Sequence, residues 1–150
     1  MQFIFVPKRV YVGAVSSEGE TELNAFDNCL VKLGIGDVSL VKTTSILPND
    51  VEITEKLDTN LVVGSNVPAI YSYTISNQPG ETIAAAMAIG RTEKGPTLVA
   101  ETSDRGINRK EAEELVIKML RDMVKTRNLK LLDIKVYSVE HTVKKIGCVI

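Results

Sequence analysis

The chain has 150 residues, of which 44% are hydrophobic and 25% charged, and this predicts one globular domain, residues 1–150, with a sizeable core. A net charge of −1, no tryptophan and only 5% aromatic residues argue against a nucleic-acid-binding protein. The sequence lacks an apolar run of membrane-spanning length, a basic secretion signal at residues 1–7 and a closely spaced cysteine pair, so we expect a cytoplasmic protein with reduced Cys29 and Cys148 and no membrane contact.

The first half of the chain predicts the order strand, helix, strand. Residues 9–15 are rich in β-branched side chains and predict a strand. Ser17 and Glu20 have the spacing of a capping box, which predicts a helix that ends near Leu33. The apolar residues of this helix that keep helical spacing are Leu23, Phe26, Leu30 and Leu33. Two glycines then stop the helix, and residues 38–42 predict the second strand.

The middle of the chain predicts a long surface segment followed by a β-hairpin. Residues 48–66 carry acidic residues, Asn and Gly, and a loop of this length in a compact domain is often functional. Residues 67–76 and 81–91 predict two strands that pair with each other around a turn at Pro79-Gly80. Gly80 suits a type II turn because glycine accepts the positive φ that this turn requires.

The second half repeats the order strand, helix, strand. Residues 97–102 predict a strand, Asn108 and Glu111 predict a capped helix that Asn128 ends, and residues 131–139 predict another strand. The residues of this helix expected on one apolar face are Ala112, Leu115, Val116, Met119 and Met123. The two halves therefore predict an α+β fold with duplicated β-α-β units. Two packed sheets with one helix on each outer face would form a four-layer α/β/β/α sandwich.

Five short segments together form a recognisable pattern. They are residues 16–27, 34–40, 44–48 and 79–86 and, more weakly, 140–148. In order and spacing they resemble the pyruvoyl-dependent arginine decarboxylase family, although no single segment is specific. The resemblance implies the same layered fold, a homotrimer, and an active site between neighbouring subunits that converts L-arginine to agmatine and carbon dioxide for polyamine synthesis.

The resemblance places a self-cleavage site between Thr44 and Ser45. Ser45 Oγ would attack the carbonyl carbon of Thr44 and convert the peptide to an ester. Elimination would then separate residues 1–44 (the β chain) from residues 45–150 (the α chain) and leave a pyruvoyl group derived from Ser45. Its ketone serves as the electron sink that pyridoxal phosphate provides elsewhere, so no diffusible cofactor is needed. Without the flanking segments, the polar tripeptide that ends at Ser45 would be read as a strand end or a Ser/Thr turn.

The resemblance also implies roles for two carboxylates. Glu101 would be the general acid that protonates the substrate carbon after decarboxylation; the alternative is a solvated carboxylate at a strand end. Asp27 would bind the substrate guanidinium through two parallel hydrogen bonds; the alternative is a surface residue at the edge of the apolar stripe. The further positions that would surround the substrate are Leu30, Gly36, Val38 and Ile46.

Two positions depart from the family pattern. Thr44 stands where the family commonly has Ser, and Ser39 stands where it commonly has an Asn that positions the cleavage site. Self-processing could therefore be slower, or could use another donor. Two alternatives remain open: the same chemistry on histidine, lysine or ornithine, and a trimeric small-molecule-binding relative that never cleaves. His141 is the only histidine, and this removes histidine-based zinc sites, so we predict no metal.

Overall fold

The computed structural model describes residues 4–150. The prediction that residues 1–7 are not a secretion signal falls partly on residues 1–3, which lie outside the described residues. The fold is α+β, and within residues 4–150 it contains two helices and eleven strands. The helices are α1 (Glu22–Lys32) and α2 (Arg109–Thr126). The strands are β1 (Arg9–Tyr11), β2 (Ser16–Glu18), β3 (Ser39–Lys42), β4 (Ile46–Leu47), β5 (Glu52–Thr54), β6 (Asn66–Ala69), β7 (Thr74–Ser76), β8 (Thr82–Thr92), β9 (Thr97–Arg105), β10 (Leu131–Thr142) and β11 (Gly147–Val149).

The two larger sheets are antiparallel. One has the strand order β10-β8-β9-β4 and the other has the order β2-β11-β7. Two further pairs are parallel, β1 with β5 and β3 with β6. Helix α2 packs on the first sheet, and α1 packs on the second. Strand β8 also contacts β7 and β11, so it touches both the helix and the other sheet.

The core beneath α2 is built from small side chains on the sheet and larger ones on the helix. Side chains alternate between the two faces of a strand, and β8 uses alanine on the face toward α2. The buried residues of this cluster are Ala84, Ala86, Ala88, Leu98, Ala100, Ala112, Val116, Leu120 and Val124. On the opposite face of β8, Ile83, Ala85 and Ile89 are also buried. Because β8 is buried on both faces, its register with its neighbours is fixed, and the position of β9 is therefore fixed as well.

The cap of α2 was predicted correctly, and its buried face was predicted in part, since Ala112 and Val116 are buried. Asn108 Oδ1 accepts from Glu111 N at 2.9 Å and Glu111 Oε1 accepts from Asn108 N at 3.2 Å, and Asn128 has a positive φ of 50° just after the helix. Leu115 and Met119, however, are exposed. The stripe that packs on the sheet runs through Ala112, Val116, Leu120 and Val124, at intervals of four residues.

Helix α1 begins later than predicted. Ser17 belongs to β2, where it pairs with Cys148 of β11, and a residue in a strand ladder cannot cap a helix. Thr21 is the N-cap, and its Oγ1 accepts from Asn24 N at 3.2 Å. The buried face of α1 consists of Ala25, Cys29 and Leu30. Leu23, which was expected on that face, is 73% exposed.

The predicted hairpin between residues 67–76 and 81–91 is wrong, although its turn is correct. Gly80 has a φ of 87° and Glu81 N donates to Gln78 O at 3.1 Å, as in a type II turn. The turn leads from one sheet to the other: β7 pairs with β11, and β8 pairs with β9 and β10. Both edges of β8 are therefore occupied by other strands. The preceding surface segment also contains β5 and the buried Val51.

The two cysteines meet where α1 packs on β11. Cys29 Sγ donates to Cys148 O at 3.5 Å, and both thiols are free and buried. Neither helix in residues 4–150 is long and apolar enough to cross a bilayer.

Candidate active site

The residues Thr43, Thr44 and Ser45 connect β3 to β4. Thr43 N donates to Ala69 O at 2.9 Å, which continues the pairing of β3 with β6. Ser45 O accepts from Val99 N at 3.0 Å, which continues the pairing of β4 with β9. Because each end of this short connection is hydrogen-bonded to a different strand, the backbone around Ser45 is held from both sides.

The hydroxyl of Ser45 contacts a carboxylate. Ser45 Oγ donates to Glu101, at 2.9 Å to Oε2 and 3.1 Å to Oε1, and both residues are partly buried. The adjacent Ala100 faces α2, so Glu101 lies on the opposite face of the sheet. In register, Glu101 is opposite Met87 of β8, which is opposite Tyr137 of β10. A carboxylate in contact with a hydroxyl has the geometry of a general base with its nucleophile.

The peptide bond before Ser45 carries a backbone hydrogen bond of its own. Ile46 N donates to Thr44 O at 2.9 Å, a contact between residues two apart. Asn128 is the one non-glycine residue with a positive φ in the described chain, so Ser45 is the centre of an inverse γ-turn. Turns of this kind are common at strand ends, and here β4 follows directly.

An open cavity of about 720 Å³ lies beside this turn. Its lining is mostly apolar and includes Thr43, Ile46, Glu101 and Tyr137. Cavities of about 300–1,000 Å³ with a few polar groups are typical of small-molecule sites. Burial, followed by the negative charge of Glu55, raises the pKa of Tyr137 above its ordinary value of 10.0.

Glu101, Ser103 and Arg105 are polar side chains on the same face of the second half of β9. Ser103 shares hydrogen bonds with Ser72, at 2.7 Å between the two Oγ atoms, and with Thr74 Oγ1 at 2.9 Å. Arg105 binds the turn before β8 through Glu81. Each polar residue thus fastens a different segment to β9. Sequence reasoning missed Ser103 and its partners, because residues 101–105 are all polar and no alternation marks the face that Glu101, Ser103 and Arg105 share.

Glu81, which received no role from the sequence, holds the turn that precedes β8. Its carboxylate accepts from Ser76 Oγ and from Arg105 Nε, the latter at 3.0 and 3.1 Å. The hydrogen bond from Ser76 is the largest effect, and with Arg105 it lowers the pKa of Glu81 despite partial desolvation. The turn is also joined to the end of β10, because Gly80 N donates to Val143 O at 2.8 Å and Val143 N donates to Glu81 O at 2.9 Å.

The first and last of the five resemblance segments meet at Glu18. Its carboxylate accepts from His141 Nε2 at 2.8 Å, from Lys144 N at 2.6 Å and from Lys145 N at 3.4 Å. Burial acts to raise the pKa of Glu18, but these hydrogen bonds together lower it below its ordinary value. His141 therefore has a structural contact here.

Asp27 lies apart from Ser45 and Glu101 within one chain. It is exposed on α1, and residues four positions before and after it on the helix are neighbours on the same face. Those neighbours are Leu23 and Val31, which are 73% and 61% exposed. Asp27 is not among the residues that line the cavity at Glu101. The exposed face of α1 thus combines one carboxylate with two unburied apolar side chains.

The remaining candidate residues surround the connection from α1 to β3. Leu30 is buried against β11 in the core cluster of α1. A Cβ added at Gly36 would lie 2.7 Å from Val31 Cγ2, so glycine is required for close approach to the helix. Val38 is partly buried, and Ser39 is exposed at the start of β3, where its N donates to Ser65 O at 2.8 Å. Within residues 4–150, no group of three His, Cys, Asp or Glu side chains is placed to hold a metal ion.

Comparison with known proteins matches the chain to one family. Residues 9–150 match the family model of pyruvoyl-dependent arginine decarboxylase. The chain is 41% identical over 138 residues to the pyruvoyl-dependent arginine decarboxylase of Pyrococcus abyssi, covering 92% of this chain and 87% of the relative. It is 42% identical over 145 residues to the protein of the same name from Methanocaldococcus jannaschii, covering 95% and 86%. For the protein of that name from Methanothermobacter thermautotrophicus, the identity is 35% over 142 residues, covering 95% and 92%.

Proposed function

The chain belongs to the pyruvoyl-dependent arginine decarboxylase family, and we propose that it cleaves itself between Thr44 and Ser45 and then decarboxylates L-arginine to agmatine and carbon dioxide. Membership of this family makes it an enzyme, a decarboxylase with a covalently bound pyruvoyl group. The observation that carries the proposal is the contact of Ser45 Oγ with the Glu101 carboxylate, at a turn that also contains the Thr44 carbonyl.

Self-cleavage begins with a proton transfer from Ser45 Oγ to Glu101 as Oγ attacks the carbonyl carbon of Thr44. The bond from that carbon to Ser45 N then breaks, the nitrogen takes up a proton, and an ester replaces the peptide. Loss of the Ser45 Cα proton expels residues 1–44 with a new carboxyl end. Residue 45 is left as dehydroalanine, which takes up water and releases ammonia to give the ketone. Of the two departures from the family pattern, Thr44 still supplies the carbonyl that this step needs, and Ser39 lies at the start of β3.

Glu101 has a second role in turnover. The pyruvoyl ketone supplies the electron sink that allows an amino acid to lose carbon dioxide. The carboxyl of Glu101, which reaches residue 45 before cleavage, is placed to donate a proton to the substrate α-carbon afterwards. The cavity beside Glu101 has a mostly apolar lining, which includes Ile46. Glu101 thus accepts a proton in maturation and donates one in catalysis.

Recognition of the arginine side chain rests on Asp27 of a neighbouring copy. We infer a homotrimer in which the exposed face of α1 packs beside the cavity of the next subunit. The exposed apolar side chains of Leu23 and Val31 on either side of Asp27 support this arrangement, since such side chains gain from burial at an interface. Leu30, Gly36 and Val38 would then lie behind the substrate, where they fix the position of the helix and the strand that follows.

The packing favours the four-layer α/β/β/α arrangement for this single domain of residues 1–150. Support comes from α2 and α1 packing on different sheets while β8 contacts both α2 and the second sheet. A net charge of −1 favours a small-molecule substrate over nucleic acid. The free, buried Cys29 and Cys148 favour the cytoplasm as the compartment.

Intact-mass measurement of the purified protein tests the proposal. We expect two species, residues 1–44 and residues 45–150 with a pyruvoyl end, and release of carbon dioxide from arginine in preference to lysine, ornithine or histidine. Ser45→Ala should remain whole, and the adjacent Thr43→Ala should cleave as wild type. Cleavage of Ser45→Ala at the same bond would exclude the hydroxyl chemistry. A wild-type chain that stays whole would instead identify a binding relative, and preference for another amino acid would reassign the substrate.

A further inference from the structure

The inverse γ-turn at Ser45 supplies a hydrogen-bond donor to the scissile carbonyl. We propose that the backbone N–H of Ile46 stabilises the negative charge that develops on Thr44 O during self-cleavage. This inference rests on the proposed function, because it concerns the first step of that reaction. The donor belongs to the chain segment that is cut, two residues from the carbonyl it serves.

The surrounding strands hold this donor in place. Thr43 is tied to Ala69 and Ser45 is tied to Val99 by backbone hydrogen bonds of 2.9 and 3.0 Å. Ile46 itself is paired in register with Leu98 of β9. Since the turn is fixed by two different strand pairs, the N–H does not need to be reoriented when the reaction begins, and preorganised donors of this kind contribute most to charge stabilisation.

The nucleophile and the carbonyl oxygen that it attacks are hydrogen-bonded to different residues. Ser45 Oγ contacts Glu101, which accepts its proton, while Thr44 O contacts Ile46 N–H. When Oγ bonds to the Thr44 carbon, the carbonyl electron pair moves onto the oxygen. When the bond to Ser45 N breaks, that pair returns and the nitrogen takes the proton from Glu101. The oxygen is most negative between these steps, so the hydrogen bond is strongest in the transition state and therefore raises the rate.

This arrangement explains how cleavage can proceed with Ser39 in place of the Asn that the resemblance leads one to expect. The side chain of Ser39 is shorter, and the residue lies exposed at the start of β3. The N–H of Ile46 needs no side chain, because the turn itself provides it. The Thr44 carbonyl can therefore be polarised by Ile46 N–H even though position 39 lacks the longer Asn side chain.

An amide-to-ester replacement tests the donor without changing a side chain. Full-length protein is made with the α-hydroxy acid equivalent of isoleucine at position 46, which removes only the N–H, and cleavage is followed by intact mass over time. Removing one oxyanion donor slows such reactions by about 10²–10³-fold, and we expect a loss of that size. The new ester makes the Ser45 Cα proton more acidic, which favours the later elimination. Any slowing therefore comes from the acyl shift.

A second ester, at Val99, is the matched control. The ester at position 46 also weakens Ser45 O as an acceptor for Val99 N, and an ester at position 99 removes that same hydrogen bond while leaving Ile46 N–H intact. Thermal melting establishes that both variants are folded. We expect the Val99 ester to cleave near the wild-type rate. Equal slowing of the two variants, or normal cleavage of the Ile46 ester, overturns the inference while wild-type cleavage still supports the proposed function.

Discussion

Replacing Glu101 by glutamine separates the two roles assigned to this carboxylate. Glutamine keeps the shape and one oxygen acceptor near Ser45 Oγ, where the carboxylate now accepts at 2.9 and 3.1 Å, but it cannot take up a proton at neutral pH. Loss of a positioned general acid or base typically slows a step by about 10²–10⁴-fold. Because Glu101 touches the hydroxyl before cleavage, we expect Glu101→Gln to slow both self-cleavage and decarboxylation by factors in that range.

The assay follows the same preparation through both reactions. Intact mass gives the fraction cleaved over time, and carbon dioxide release from arginine, divided by the cleaved fraction, gives the turnover of matured sites. Asp104→Asn is the matched control, since Asp104 is on the same strand, exposed, and bonded to Arg105 N. Cleavage of Glu101→Gln at the wild-type rate with slow turnover would confine Glu101 to the second reaction, as the family resemblance implies. Normal rates in both reactions would refute the reasoning from the Ser45 contact.

Three further outcomes follow from the same structure. Asp27→Asn should cleave itself normally but lose affinity for arginine by about 2–5 kcal/mol; steady-state decarboxylation at the wild-type level would show that the guanidinium is recognised elsewhere. In an uncleaved Ser45→Ala background, Leu120→Ala should lower the free energy of urea unfolding by about 2–5 kcal/mol, since Leu120 is 0% exposed; Leu132→Ala, at a side chain 56% exposed, should lower it far less. In that background Glu18→Gln should reduce the melting temperature at neutral pH. The pKa of Glu18 is lowered in the folded state from an ordinary 4.5, so its contribution is complete above that pH and is lost on further acidification. A melting difference that does not shrink as the pH is lowered below 4.5 would contradict this.

Two local signals in the sequence were confirmed, because their stabilising contacts span only a few residues. The equally local capping box of Ser17 and Glu20 was wrong, because Ser17 pairs with Cys148 in a strand ladder. The capping box of Asn108 and Glu111 and the positive φ of Gly80 depend on atoms within one turn of chain. The partner of a strand depends on residues far away, and β7 paired with β11 rather than with the adjacent β8. The prediction of the buried face of α1 was wrong at Leu23 for a related reason. Helical periodicity places Leu23 on the apolar face, but its side chain is exposed because the sheet beneath α1 does not reach it.

In the candidate site, too, the contacts between residues distant in sequence could not be predicted from local patterns. No local pattern joins Ser45 to Glu101, which is 56 positions away; the resemblance selected both residues, and the structure adds that their side chains touch. The γ-turn at Ser45 could not be predicted, because it depends on β4 pairing with a strand about fifty residues later. The place of Asp27 relative to the substrate depends on assembly, and the sequence of one chain contains no direct signal for that.

The strand pairing has a consequence for how the matured protein unfolds. Each of the three strands before residue 45, β1, β2 and β3, is hydrogen-bonded to a strand after it, namely β5, β11 and β6. Once the bond at Ser45 is cut, the two pieces form an interwoven heterodimer, and denaturation becomes a dissociation. Its midpoint must then rise with protein concentration, by about 1.4 kcal/mol of apparent stability for each tenfold increase. The uncut Ser45→Ala chain lacks this particular dependence. Cleavage at Ser45 would therefore make the fold of each subunit depend on two chains instead of one, so folding has to come first.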